Sequence, residues 1–465
     1  MNRRKFGLLG ASSALALGMG GATKAIAAAT AGQVPSLQTT LTPVGAERAG
    51  NADGSIPAWT GGMTTMPPGV TSGQGIMPDF FASDAKVVSI SASNMAQYAD
   101  RLSEGTKALM TRFPDYRIDV YPTHRPACAP QYVYDNIAKN AATAEVHPGG
   151  GRFGFLNAFG GTPFPIPDPD PEVAGAQIML NHETRWLGHF QSRTSNSEVM
   201  QNGTTTLAGG YTGSYRYWYY DPGGSYDTWN KYVFWTHVQF VAPPASLSEQ
   251  IVDYQGLNPL DTPTQAWIYL AGQGRVRKAP ELQYDNPQAS DNGASLYDEN
   301  YVFNGALNKY DWKFVEKKEM YIPYNTNKLF GTTAAELYQT NFVNPDALRW
   351  ELHRVWVVDA TLHPGERHVV PHRRFYFDED TWGVVLSDGW DAGGNLWRVG
   401  QGYPEVRPDM PGVNLTFAMI YDLQRGLYTS VQGITNDAPY NGPISWDSIP
   451  PQQFNPQAMA ASNQY

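Results

Sequence analysis

Cysteine is almost missing from this chain: Cys128 is the only one in 465 residues. That excludes an internal disulfide framework, and it also excludes a lipid-modified cysteine at a mature N-terminus. Charge is sparse too, at 16% Asp, Glu, Lys and Arg, with 43 acids against 33 bases. Such a balance withholds the basic surface that nucleic acid or anionic headgroups require. Beyond the N-terminal segment, no apolar run approaches the roughly 20 residues of a membrane helix. Catalytic signatures are equally scarce. His182-Glu183 opens an H-E-x-x-H pattern that fails at Trp186, and no G-x-S-x-G elbow occurs. Glycine clusters at 149–151, 160–161 and 209–210 lack the context of a dinucleotide fingerprint or P-loop. Cys128, within ACAP, has no neighbouring base, so a buried apolar thiol is expected there. No catalytic residue and no cofactor is therefore assigned.

The first residues, MNRRKFGLLGASSALALGMGGATKAIAAAT, read as an export signal. Arg3-Arg4 precede a weakly apolar core, Lys24 lies near the end, and Ala25-Ile26-Ala27 offers a cleavage site. Twin arginines with such a core match the bacterial twin-arginine signal, which carries proteins out already folded. Residues 1–27 are thus expected to be removed near Ala27, leaving a periplasmic protein. Four of the 33 bases fall in that segment and no acid does, so 29 bases and 43 acids remain, a net of −14.

The expected domain plan has an irregular arm at 28–77, one large domain at 78–449 and a loose polar tail at 450–465. Ile56 and Trp59 are placed to pin the arm to the body. Ser91 or Ser93 is expected to cap a helix carrying Met95, Tyr98, Leu102 and Leu109 and ending before Pro114. Gln131–Tyr134 is a strand candidate, followed by a short helix at 135–143. Glu172–Gln191 reads as a helix, and 300–307 as a helical segment. Ser214–Tyr220, Lys231–Ala242 and Ala266–Leu270 are expected strands, rich in aromatic and β-branched residues.

The most regular stretch is His353 to Val399, four short strands separated by turn sequences such as HPGERH and DAGG. Trp356, Val358, Ala360 and Leu362 alternate onto one face, while Val355 and Val357 are apolar exceptions on the other. An antiparallel meander with one covered face is expected. His353, His363, His368 and His372 gather near Asp378 and Asp380. They straddle a turn and two strands without compact ligand spacing, so turn and surface histidines are expected and no metal is assigned.

Four blocks carry a family resemblance: LTPVGAERAGNADGSIPAWTGG, AWIYLAGQGRVRKAPELQYDNP, FNGALNKYDWKFVEKKEMYIPYN and ELHRVWVVDATLHPGERH. With them the chain resembles the bacterial domain-of-unknown-function 1329 family, labelled outer-membrane lipoprotein-sorting-protein-like, across nearly all of residues 38–435. The resemblance implies an α+β fold similar to periplasmic lipoprotein carriers. Its large curved antiparallel sheet would form an open, unclosed β-barrel with helices lidding the concave face. It also implies neighbouring exporters of the resistance-nodulation-division type as partners, and no catalytic residue.

Strand aromatics suit a β core and a cavity wall equally, because both draw on the same residues. The carrier-like resemblance favours the wall. Trp218, Trp235, Trp267, Tyr269, Trp356, Val358, Phe375 and Phe377 are accordingly the expected ligand-binding residues, with Tyr217, Phe234 and Phe240 beside them. The expected function is a soluble periplasmic carrier of a lipid, a lipoprotein acyl chain or a terpenoid-like molecule. The alternative is a periplasmic enzyme exported folded by the twin-arginine route, and a structural envelope protein ranks third.

Overall fold

The computed structural model describes residues 34–280 and 282–461. The export segment 1–27 with its cleavage site, and residues 462–465 of the tail, lie outside the described residues. Among the described residues, no helix is long and apolar enough to cross a membrane.

Fifteen strands form the main sheet. They are β1 (Val88–Ser91), β2 (Arg117–Val120), β3 (Phe190–Gln201), β4 (Thr204–Arg216), β5 (Tyr232–Ala242), β6 (Gln250–Gly256), β7 (Gln265–Leu270) and β8 (Arg275–Lys278). After an irregular strap come β9 (Tyr310–Pro323), β10 (Trp350–Leu362), β11 (His372–Asp378), β12 (Val384–Trp390) and β13 (Leu396–Gly402). The last two are β14 (Ala418–Asp422) and β15 (Leu427–Val431). Their spatial order is β1-β2-β10-β11-β12-β13-β14-β15-β3-β4-β5-β6-β7-β8, with β9 also paired to β10. All pairings in this sheet are antiparallel except a parallel bridge between Val120 and Trp350. β1 and β8 lie at the two ends and do not pair, so the sheet stays open. A twisted sheet this wide curls instead of lying flat. The fold is α+β, an open barrel-like sheet with few helices. At one edge β8 is short and carries Arg275, Arg277 and Lys278, charges that discourage pairing with another chain.

The meander β10–β13 has the expected antiparallel pairing, with Trp356 opposite Phe377 and Val358 opposite Phe375. It differs from expectation in being covered on both faces. Val358, Ala360, Phe375 and Phe377 join one buried cluster, whereas Val355, Val357, Tyr376 and Leu386 join another on the opposite side. The two valines were not exceptions. A sheet buried on both faces reads as a nearly continuous apolar run, which blurs alternation.

Two helices account for much of this double cover. Helix α1 (Glu104–Arg112) contributes Leu109 and Met110 to the Val355 side. Its cap is Ser103, whose side chain accepts from the Thr106 amide, in place of Ser91 or Ser93. The expected helix is shortened, because Met95–Arg101 forms only a 3-10 turn and the α-helix begins at Glu104. Asp388 of β12 reaches the start of α1, accepting from the Glu104 amide at 3.0 Å and the Gly105 amide at 2.9 Å. A Cβ at Gly105 would stand 2.4 Å from Asp388 Oδ1, so this approach requires glycine.

Helix α2 (Gln131–Thr143) absorbs the supposed strand at 131–134, because Val133, Ile137 and Ala141 share one buried stripe. Helix α3 (Pro171–Glu183) is capped by Asp170 and is buried from Ala174 to Glu183. It stops before the predicted end, since Phe190 already begins β3. Gly175 brings α3 against β9, where a Cβ would meet the Trp312 backbone at 2.5 Å. Ile178, Met179 and Leu180 then fill the space above Val358, Phe375 and Phe377.

Three further expectations change. Segment 300–307 is irregular, with Tyr301 and Val302 at positive φ, and directs Tyr301, Val302 and Phe303 into the core. The strand predicted through Tyr220 ends at Arg216, and Trp218–Tyr220 forms a 3-10 turn. The tail is not loose over residues 450–461: Phe454 and Met459 are buried, and the Tyr254 hydroxyl donates to the Phe454 carbonyl at 2.8 Å. The N-terminal arm is held as well, with Ile56 in the core and the Trp59 indole donating to the Ala127 carbonyl at 2.9 Å.

Candidate binding chamber

Strands β4–β7 face the strap 282–304 across a hollow of about 780 Å³, counting the part that opens to solvent. Alternation builds its floor. Phe234, Thr236, Val238 and Phe240 of β5 point into it, as do Ile251, Asp253 and Gln255 of β6 and Ile268 of β7. The register stacks Val238, Ile251 and Ile268 in one row across three strands, with Thr236, Asp253 and Ala266 in the next. The strap supplies the roof through Leu282, Tyr297, Tyr301 and their neighbours. Val238, Ile251 and Ile268 are only half-buried: Ile251 and Ile268 pack partly against Ala266, Ala279 and Leu282, and the rest of the row's apolar surface faces the hollow.

This chamber shares its face of the sheet with the predicted wall. Tyr215 and Phe234 belong to the same buried cluster as Phe375 and Phe377, joined through Tyr301 and Phe303. The two halves of that face differ in what lies above them. Over β10 and β11, α3 and Phe303 fill the space; over β4–β7, the strap arches and leaves it hollow.

None of the eight residues named as the wall lines this chamber. Val358, Phe375 and Phe377 are fully covered beneath α3, and Trp356 stacks on Trp382 with centroids 5.6 Å apart. Trp235 and Trp267 alternate to the opposite face, where Trp235 stacks on Tyr254 at 4.3 Å. Trp218 packs edge-on to Trp235 at 4.9 Å. Phe454 of the tail adjoins Trp235, and Met459 covers Tyr269 and Trp267. Phe234 and Phe240, from the wider aromatic set, do line it. Sequence reasoning missed Ile251, Asp253 and Ile268. The available signal was an acid inside the strand QIVDYQG, on the same side as Ile251.

Asp253 is the single charged side chain among the described lining residues. Its pKa rises from 3.8 to about 7, mainly because protein atoms surround it and penalise the anion; the Thr236 hydroxyl opposes the rise. Even so, neither Thr236 Oγ1 nor Asp253 Oδ1 reaches hydrogen-bond geometry with a described atom. Asp253 is enclosed by protein yet half-buried in surface terms, because part of its surface faces the hollow itself.

The other polar clusters are mostly held by local partners, although Asp378 Oδ1 is buried without one among the described residues. Asp380 is gripped by Arg125 at 2.6 and 2.8 Å, and Arg125 also holds the arm through the Glu47 carbonyl at 2.8 Å. His353, Asp378 and Asp380 bring ligand-type atoms within 4.8 Å of one another, all buried. His353 Nε2 is 3.0 Å from Glu351, and Tyr324 donates to Asp378 at 3.2 Å. The remaining histidines of that group diverge, His363 to Asp311, His368 to Asp298 and His372 to Asp359. On α3, His182 Nδ1 accepts from the Val384 amide at 3.0 Å, while Nε2 lies 2.8 Å from the Phe303 carbonyl. Burial holds His182 well below its ordinary range and lifts Glu183 to about 8, so both serve the core as neutral groups at pH 7. Burial also pushes the Cys128 thiol up to about 11, which suppresses the thiolate a nucleophile needs. Cys128 borders a second hollow of about 530 Å³ between the arm and α2.

Residues 89–460 match the family described as a protein of unknown function, DUF1329. A Pseudomonas aeruginosa protein, the uncharacterized PA3922, is 38% identical over 428 residues, covering 90% of each chain. The chain belongs to the DUF1329 family. Among solved structures, it is similar to a Vibrio parahaemolyticus domain named for outer-membrane lipoprotein sorting, at 11% identity and a TM-score of 0.41. That match covers 62% of this chain and 98% of the other. A DUF1329 protein from Desulfovibrio piger matches at 12% identity and a TM-score of 0.38, over 57% of this chain and 91% of the other.

Proposed function

We propose that this protein is a non-enzymatic carrier that takes up a hydrophobic molecule in the chamber under the strap and works in the periplasm. The observation that carries the reading is the row Val238, Ile251 and Ile268, half-buried apolar side chains that present part of their surface to a hollow. Water in contact with such a row is displaced favourably by an apolar ligand. Each buried methylene contributes about 0.8 kcal/mol, so a chain of about a dozen carbons gains enough to offset typical association costs. The ligand classes that suit are a lipid, a lipoprotein acyl chain or a terpenoid-like molecule. The strap makes an apt gate, since it is irregular and carries four non-glycine residues at positive φ, Tyr284, Asn292, Tyr301 and Val302. An envelope exporter of the resistance-nodulation-division type is the partner we propose.

Native mass spectrometry of protein purified from its own periplasm, followed by organic extraction, tests the proposal. A co-purified lipid or terpenoid supports it. A bound metal or organic cofactor in place of lipid would favour the enzyme alternative. Replacing both Arg3 and Arg4 with Lys keeps the charge of the signal and should stop export by the twin-arginine route. Mature protein appearing outside the cytoplasm at the parental rate would refute that route.

A further inference from the structure

We infer that the chamber selects apolar molecules whose head group donates a hydrogen bond, an amine or a hydroxyl, and disfavours carboxylates, with Asp253 as the acceptor. This rests on the carrier reading and specifies its ligand. Asp253 stands in the middle of the floor, flanked by Thr236 on β5 and Ala266 on β7. Among the described residues no base forms an ion pair with it, and its Oδ1 has no hydrogen-bond partner. An unpartnered carboxylate oxygen is a costly feature beside Val238, Ile251 and Ile268, even in a wall that also carries neutral polar groups such as Gln255 and Asn300. A ligand that donates to it removes that cost, whereas a second carboxylate adds like-charge repulsion.

Among the described lining residues, Asp253 alone can supply a charged acceptor. Tyr215 from β4 and Tyr297 from the strap face it, and its charge helps to raise both phenols. Neither phenol is an anion at neutral pH, so they add no competing charge. Arg193 on β3 lies over the Tyr215 ring at 5.1 Å, but it is held by Gln191 at 2.7 Å and Ser195 at 3.1 Å. His237 projects to the other face, 2.7 Å from Gln250. Asp291 of the strap accepts from the Ala294 and Ser295 amides at 3.1 and 3.0 Å.

The pH dependence follows with a definite sign. Asp253 loses its proton near pH 7 in the empty chamber. An alkylammonium ligand should bind more tightly as pH rises through that value, since it pairs with the anion. An alkyl carboxylate should bind more weakly over the same range, and an alkyl alcohol should change least.

Displacement of the fluorescent probe N-phenyl-1-naphthylamine from the purified mature protein tests this, using dodecylamine, 1-dodecanol and dodecanoate. At pH 8 the amine should displace the probe at a concentration about tenfold or more below that of dodecanoate, a ratio within reach of one charge-assisted hydrogen bond. Asp253→Asn should remove most of that preference, with 1-dodecanol losing less than dodecylamine because the amide oxygen still accepts a neutral hydrogen bond. Dodecanoate matching dodecylamine at pH 8, or a ranking without pH dependence in the parent, overturns the inference while the carrier reading stands. The parent's own ranking and pH profile decide the matter even if Asp253→Asn fails to fold. If neither the fluorescent probe nor any of the three chains binds, the carrier reading and the inference fall together.

Discussion

Placing a carboxylate on each half of the same sheet face separates a filled core from a hollow. Val358 has no exposed surface and sits beneath α3, between Ala360 and the Phe375–Phe377 pair. Val358→Asp forfeits about 1.5–3 kcal/mol of apolar burial. It also strands a charge whose effective desolvation penalty is several kcal/mol. Together these reach about 5 kcal/mol or more, which equals or exceeds the whole stability of many domains. The introduced carboxyl would escape part of the penalty by staying protonated, so the variant should be less unstable at pH 5 than at pH 8. Ile268→Asp is the matched change on the hollow half. Ile268 is half-buried and faces the chamber, so the new carboxylate keeps part of its hydration and costs less than one sealed beneath α3. Urea unfolding followed by circular dichroism should show Val358→Asp largely unfolded at pH 8, with Ile268→Asp folded and poor at apolar probe uptake. The packing argument is refuted if Val358→Asp matches the parent's midpoint. It is equally refuted if Ile268→Asp is the less stable of the two.

Further expectations concern other contacts. Gly175→Ala puts a methyl against the Trp312 backbone and should lower stability by about 1–3 kcal/mol, read from the urea midpoint. Asp388→Ala removes the acceptor from the two leading amides of α1 and should cost about 1–2 kcal/mol; an unchanged melting temperature would count against that role. Because the Asp253 pKa is raised in the folded state, that state holds more protons between about pH 4 and 7. Asp253 therefore subtracts stability as pH rises across this window, and Asp253→Asn should lessen the decline in melting temperature between pH 5 and 8. Deleting residues 451–461 uncovers Trp235 and Trp267, so tryptophan emission should shift to the red.

Much of the fold was legible because strand alternation and turn chemistry are local. The meander from His353 to Val399 was readable from its β-branched runs and its HPGERH and DAGG turns. Helix ends were less legible where tertiary contacts compete with pattern. Met95–Arg101, expected as the first turns of a helix, forms only a 3-10 turn after the edge strand Val88–Ser91. Residues 300–307 kept an apolar helical look but lie stretched as a strap, because three successive side chains from Tyr301 to Phe303 must all be buried.

Strand aromatics suited a core and a wall equally, and the resemblance to carriers turned the reading toward the eight residues of the expected wall, of which Val358, Phe375 and Phe377 are packed solid. Asp253, a single acid within a strand, carried less statistical weight and sits at the centre of the hollow. Residue types and their period of two determined which side chains share a face, for instance Val358 with Ala360 and Ile251 with Asp253. Whether a shared face is filled or left hollow was decided only in three dimensions. The elements that cover it come from remote stretches: α3 from 171–183, the strap from 282–304, and the tail from 451–461 on the opposite side. Alternation along one strand acts over a few residues, whereas the volume above that strand is set by segments from elsewhere in the chain, and no local pattern encodes it.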